Sequence, residues 1–104
     1  MNGFTTGRLV EPKTKSFFHK IVAKAKVIFR KQNPKRKHNY VWIGINAKRG
    51  PWVYTSSQTK LVFENWYPDQ PDNEAQDCVH FISSHGKWGD DFCYQKNHYI
   101  CEFV

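Results

Sequence analysis

The stretch from Gln70 to Cys101 constrains this chain more than any other part of it. It reads Gln70-Pro71-Asp72-Asn73, then Asp77-Cys78-Val79, then Gly86-Lys87-Trp88-Gly89-Asp90-Asp91-Phe92-Cys93, then Tyr99-Ile100-Cys101-Glu102. Side-chain oxygens gather on either side of two cysteines, and aromatic anchors lie between them. Oxygen-rich loops of this kind suit a hard cation and a polyol better than they suit catalysis.

At 104 residues the chain is one small domain, with 39% hydrophobic and 16% aromatic residues from which to build a thin core. Three cysteines allow at most one intrachain bridge and leave one thiol over. The net charge of +7 is unevenly spread. Residues 1–39 hold eleven Lys/Arg against one acid, Glu11, whereas residues 40–104 hold five bases against eight acids. No stretch is apolar over the roughly 20 residues that a transmembrane helix needs. Residues 1–15 lack the apolar segment of a secretory leader.

The apolar spacing of Phe17, Phe18, Ile21, Val22, Ala25, Ile28 and Phe29 predicts an amphipathic helix over residues 16–32, capped by Ser16. Asn33-Pro34 ends it, and Lys35-Arg36-Lys37-His38 follows as a basic loop. Residues 1–15 read as a polar, irregular lead-in and residues 16–104 as the folded unit. Tyr40–Ile45 is rich in β-branched and aromatic residues and reads as a strand. Arg49-Gly50-Pro51 is a turn, and Trp52–Thr55 returns as a second strand. Leu61–Asp77 is a long loop, anchored by Phe63 and Trp66. Loops of that length usually carry function. Cys78–Ile82 is a third strand, Gly86 turns it, and His98–Phe103 is a final strand. One helix and several short antiparallel strands give an α+β class.

Trp42-Ile43-Gly44-Ile45, Trp52, Asn65-Trp66, Gln70-Pro71-Asp72-Asn73, Asp77-Cys78-Val79, Lys87-Trp88-Gly89-Asp90, Cys93 and Tyr99-Ile100-Cys101-Glu102 occur in that order. Together they resemble the second half of a C-type lectin carbohydrate-recognition domain, over residues 40–104. The resemblance implies a C-type lectin-like fold that is incomplete at its N-terminus. It implies calcium-dependent, non-enzymatic binding of carbohydrate in an extracellular setting, with Gln-Pro-Asp favouring galactose-type sugars. Carried over by position, the calcium ligands are Gln70, Asp72, Gln76 and Asp90, with the Asp90 backbone carbonyl. The sugar contacts are Gln70, Asp72, Asp90 and Trp88. A proline between two ligands can adopt the cis bond, and a cis Pro71 would bring Gln70 and Asp72 to one point.

Two positions depart from the family pattern. Gln76 stands where Glu is usual, and Gly89 stands where Asn is usual. The loop also lacks the Trp-containing insertion that stacks on galactose in many members. Glu74 is a candidate substitute ligand, and Asn73 a local hydrogen-bonding group. Calcium affinity is therefore expected to be at or below the millimolar range of extracellular modules, or lost. Cys78 and Cys93 match the family's inner disulfide, whereas Cys101 matches one half of the outer disulfide and has no mate in this sequence.

Competing readings are weighed against this one. Trp66 and Trp88 read first as core or loop anchors, with sugar stacking as the lesser role. His80 and His85, near Cys78 and Cys93, fit no common zinc spacing, and no Cys–His pair is placed for catalysis. If calcium and sugar binding are lost, the same loop would take a protein partner. The basic segment 16–38 offers a third class, contact with a membrane surface or a sulfated glycan. Nucleic acid is not expected as a partner.

Overall fold

The computed structural model describes residues 7–36, 38–47, 50–72 and 75–103. Helix α1 (Lys15–Gln32) leads into strands β2 (Tyr40–Asn46), β3 (Val53–Tyr54), β4 (Cys78–Ile82), β5 (Trp88–Asp91), β6 (His98–Tyr99) and β7 (Cys101–Phe103), and it is preceded by β1 (Gly7–Leu9). The architecture is α+β, as the pattern of apolar residues predicts.

Helix α1 starts one residue before the sequence-based boundary. The cap is Thr14, not Ser16: its backbone is extended, and its hydroxyl accepts the Phe17 N–H at 3.1 Å, satisfying one of the free donors of the first turn. The helix ends at Asn33, whose N–H donates to the Phe29 carbonyl at 2.8 Å, and Pro34 cannot continue it. Phe18, Val22, Ala25 and Phe29 form its buried stripe. Burying each Phe contributes about 2 kcal/mol on transfer grounds.

The main sheet runs β3-β2-β4-β5, all antiparallel. The core gathers on one face of it: Val41, Ile43, Val79, Phe81 and Trp88 pack with the helix stripe. The predicted final strand divides at Ile100. Its first part, β6, runs parallel to β2, and its second part, β7, pairs with β1 in a separate two-stranded sheet. The Ile100 carbonyl sits at the switch and accepts the Val10 N–H at 3.0 Å.

Strand β1 lies within the residues read as an irregular lead-in, and the structure corrects that reading. Arg8 sits opposite Glu102 in the ladder, and Val10, Glu11 and Pro12 are buried. The polar residues that made this segment look solvated are paired inside the fold. The buried Glu11 carboxylate accepts the Ser56 N–H and hydroxyl, each at 2.8 Å. The Glu11 N–H donates to Glu102 at 2.8 Å. A three-residue strand whose partner lies at the far end of the chain leaves no local periodic signal.

Gly44 makes this closure fit. The β2–β4 register shifts between Ile43 and Asn46. There the Gly44 N–H donates to the Val10 carbonyl, and the Gly44 carbonyl accepts from Thr55. A Cβ at this position would lie 2.8 Å from the Glu11 Cγ and 2.9 Å from the Leu9 carbonyl oxygen. Gly44→Ala is expected to cost about 1–3 kcal/mol of stability through overpacking, read as a lowered urea midpoint. An unchanged midpoint would contradict this close approach.

Candidate functional site: an oxygen-lined cleft beside a buried tryptophan

The loop between β3 and β4 is strapped to strand β5 by backbone hydrogen bonds. Trp88 donates to the Asn65 carbonyl at 2.9 Å, and Tyr67 donates to the Trp88 carbonyl at 2.8 Å. The Asn65 side-chain amide donates to the Gly86 carbonyl at 2.9 Å. Phe63 and Trp66 meet the Trp88 ring edge-on, at 5.6 Å each, and Trp66 also packs on Trp52 at 5.2 Å. The loop then turns through Tyr67–Gln70, closed by the Gln70 N–H on the Tyr67 carbonyl at 2.9 Å. Asp69 takes a positive φ of 69° there, which Asp tolerates better than most residues. The Gln70–Pro71 bond is cis.

Gln70, Asp72, Gln76 and Asp90 all line one cleft of about 530 Å³. They come from two segments of the chain, and a direct contact joins these segments. The Asp72 N–H reaches both oxygens of the Asp90 carboxylate, at 3.3 and 3.2 Å. Asp90 is buried, at 5% exposure, while Asp72 is exposed. Asn73 and Glu74 lie outside the described residues.

The disulfide Cys78–Cys93 joins the start of β4 to the turn after β5, with Cα atoms 5.2 Å apart. It closes a 15-residue separation, worth roughly 3 kcal/mol in the chain-entropy view, and it ties the start of β4 to the segment that follows β5. Cys101 carries an exposed free thiol.

Trp88 does not serve as a sugar platform. It is fully buried, at 0% exposure, and the rings of Phe18, Phe63 and Trp66 surround it. No ring face is left for a ligand. The Trp88 ring instead joins helix, loop and sheet in the core, and Asp90 follows two residues further along the same strand.

Other residues line the cleft without a sequence signal of their own. Tyr40 and Tyr67 are 41% and 48% exposed and border it together with His80, Asp91, Gln95 and Asn97. Tyr40 packs on the His80 ring at 4.6 Å. The His80 Nδ1 meets Asp91 Oδ2 at 3.0 Å, and the Asn97 amide donates to the same oxygen at 3.2 Å. Period-two alternation along the strands could have found part of this group. The register sets Trp42 opposite His80 and His80 opposite Gly89, so all three share one face.

The His80–Gly89 pair also explains why Gly89 is accommodated. A Cβ at Gly89 would meet the His80 Nε2 at 3.0 Å. The imidazole occupies the room that a side chain at position 89 would need. Gln70, Gln76, Asp72 and Asp90 thus offer two amide oxygens and two carboxylates. Among the described residues no group of three or more His, Cys, Asp or Glu side chains is placed to hold a metal ion. The donor chemistry suits a hard, oxygen-seeking cation. With only two carboxylates in this set and no side-chain oxygen at position 89, these residues offer such a cation a sparse shell.

Comparison with known proteins agrees with the fold. The family model described as "Lectin C-type domain" matches residues 6–103, and the chain belongs to the C-type lectin family. Mouse asialoglycoprotein receptor 1 is 36% identical over 69 residues, covering 59% of this chain and 24% of the receptor. Human C-type lectin domain family 10 member A is 34% identical over 71 residues, covering 61% and 22%. The chain thus spans about a quarter of the length of these curated relatives. Among solved structures, the carbohydrate-recognition domain of human scavenger receptor C-type lectin superposes with a TM-score of 0.70 at 27% identity, covering 91% of this chain and 70% of that one. Human lithostathine gives 0.71 at 26% identity, with coverage of 91% and 71%.

His80 provides a stability test of this packing. Burial lowers its pKa below 6.5, and the charge and hydrogen bond of Asp91, with the charge of Asp90, only partly offset this. The unfolded chain takes up the proton at the ordinary value, so acidification favours unfolding. Stability is full above pH 6.5 and is lost as the pH falls from there toward the lower native value. Replacing His80 with Gln should flatten this decline in urea midpoints measured across that range. An identical slope in the variant would contradict the assignment.

Proposed function

We propose that this domain binds carbohydrate without chemical turnover, through the cleft between the Gln70–Gln76 loop and strand β5. The supporting observation is that Gln70, Asp72, Gln76 and Asp90, read from two separate motifs, border one cleft and are joined by the Asp72–Asp90 contact. In this reading Asp72 and Asp90 supply the negative charge for a calcium ion, and Gln70 and Gln76 supply neutral oxygens. The bound ion would give two vicinal sugar hydroxyls a common coordination point. Asp90, buried and held by the Asp72 N–H, keeps the two halves of the donor set in register. Gln95 and Asn97 offer amides at the rim for further hydroxyl groups. Tyr40 and Tyr67 provide the apolar surface that a sugar's C–H face requires and that Trp88 does not provide.

In this reading Gln70-Pro71-Asp72 favours galactose-type sugars, as the family resemblance implies, and the relatives named as asialoglycoprotein receptors support a glycoprotein ligand. The disulfide and the family support an oxidising, extracellular setting for the domain. Affinity for calcium is expected at a Kd of about 10⁻³ M or weaker, since charge count tunes such sites. One feature favours a second reading, in which the cleft takes a protein partner without calcium. That feature is His80 filling the space beside Gly89.

Wild-type protein on immobilised galactose should be retained in millimolar calcium and released by EDTA. Asp72→Ala should lose retention while keeping its thermal stability, because Asp72 is exposed. Retention that survives both the substitution and EDTA would overturn the calcium-dependent site.

A further inference from the structure

Helix α1 carries six basic residues, Lys15, Lys20, Lys24, Lys26, Arg30 and Lys31, and no acidic residue. All six are exposed. Among the described residues none of them pairs with a carboxylate: the ion pairs involve Arg8, Lys13 and His80. Lys20 and Lys24, and likewise Lys26 and Arg30, stand four residues apart, where like charges repel. Lys15 sits at the helix N-terminus, where the helix dipole also disfavours a cation. Arg30 and Lys31, in the last turn, are favoured by that dipole, but the helix still keeps an array of like charges with no acidic residue of its own to offset their mutual repulsion.

The array has a regular geometry. At 100° per residue, Lys20, Lys24 and Lys31 fall within about 40° of one another, and they span roughly 16 Å of helix. Beyond the helix end the charge continues. Lys35 and Arg36, with Gln32, Asn33 and Pro34, line a depression of about 510 Å³.

We propose that this face binds a sulfated polysaccharide, as a site separate from the cleft. A linear polyanion matches a row of cations: its charges offset their mutual repulsion, and binding releases its condensed counterions. A bilayer matches it less well. Interfacial helices bury a continuous apolar face among the lipids, and here that face, Phe18, Val22, Ala25 and Phe29, is consumed by the core. The exposed Phe17, Val27 and Ile28 do not replace it. The oxidising setting implied by the disulfide favours a sulfated glycan over nucleic acid.

The probe is heparin, measured in EDTA so that the calcium site is silent. Heparin–agarose should retain the protein at physiological salt and release it as salt rises. The triple substitution Lys20→Gln, Lys24→Gln and Lys31→Gln should weaken heparin binding by roughly tenfold or more and reduce the salt dependence. Gln keeps helix propensity close to that of Lys, so circular dichroism should be unchanged. A control of equal charge, Lys60→Gln, Lys87→Gln and Lys96→Gln, removes three exposed lysines elsewhere and should leave most of the affinity. Equal weakening by both triples would reduce the effect to net charge and overturn the proposal. Absence of heparin binding, or binding at physiological salt only to phosphatidylserine vesicles or to DNA, would overturn it as well. Asp72→Ala should bind heparin as wild type does, which separates failure here from failure of the sugar cleft.

Discussion

Trp88 is the residue on which the rest of this structure depends. Its ring is fully buried, and the helix reaches it through Phe18 at 5.8 Å. The long loop reaches it through Phe63 and Trp66. Its backbone accepts from and donates to the same loop while pairing with Phe81 in the sheet. Helix, loop and sheet therefore have one common contact. A loop of this length would otherwise cost much conformational entropy to order. Tied at Trp88, it becomes a wall of fixed position, and Asp90 emerges from the same strand to face it. The site is thus a by-product of how the core closes.

The two ends of the chain are closed by a different device. Strands β1 and β7 pair, and the Glu11 and Glu102 carboxylates accept hydrogen bonds from Ser56, Arg8 and the Glu11 N–H. A buried acid such as Glu11 is tolerated only when its oxygens are satisfied, and both of its oxygens are. Gly44 allows the approach. The segment that seemed least structured from its composition carries the most buried carboxylate among the described residues.

What was legible in the sequence followed from locality. The helix stripe repeats every three or four residues, and strand Cys78–Ile82 is bounded by its cysteine and the turn at Gly86, so both were readable within a residue or two. The grouping of Gln70, Asp72, Gln76 and Asp90 along one cleft was readable because their motifs occur in a recognisable order. The cleft's second tier was not. Tyr40 and Tyr67 border it only because β2 lies beside β4 and the loop is pinned to β5, which are long-range facts. Trp88 was assigned a sugar contact because its motif neighbours the ligands in sequence; it shares a strand face with Asp90, but Phe18, Phe63 and Trp66 cover its ring, and that too is a long-range fact. The split of the last strand at Ile100 was also invisible, since its two parts differ in partner and not in composition.

The central claim is that residues near 70–76 and 88–97 act as one binding surface. It is tested most directly by amide chemical shifts in a labelled sample, titrated first with calcium and then with galactose. The account predicts that calcium shifts the amides around Gln70, Asp72, Gln76 and Asp90 together, and that galactose then shifts the same set and those of Tyr40, Tyr67, Gln95 and Asn97. Shifts confined to one of the two segments, or unchanged spectra at millimolar calcium and galactose, would contradict it.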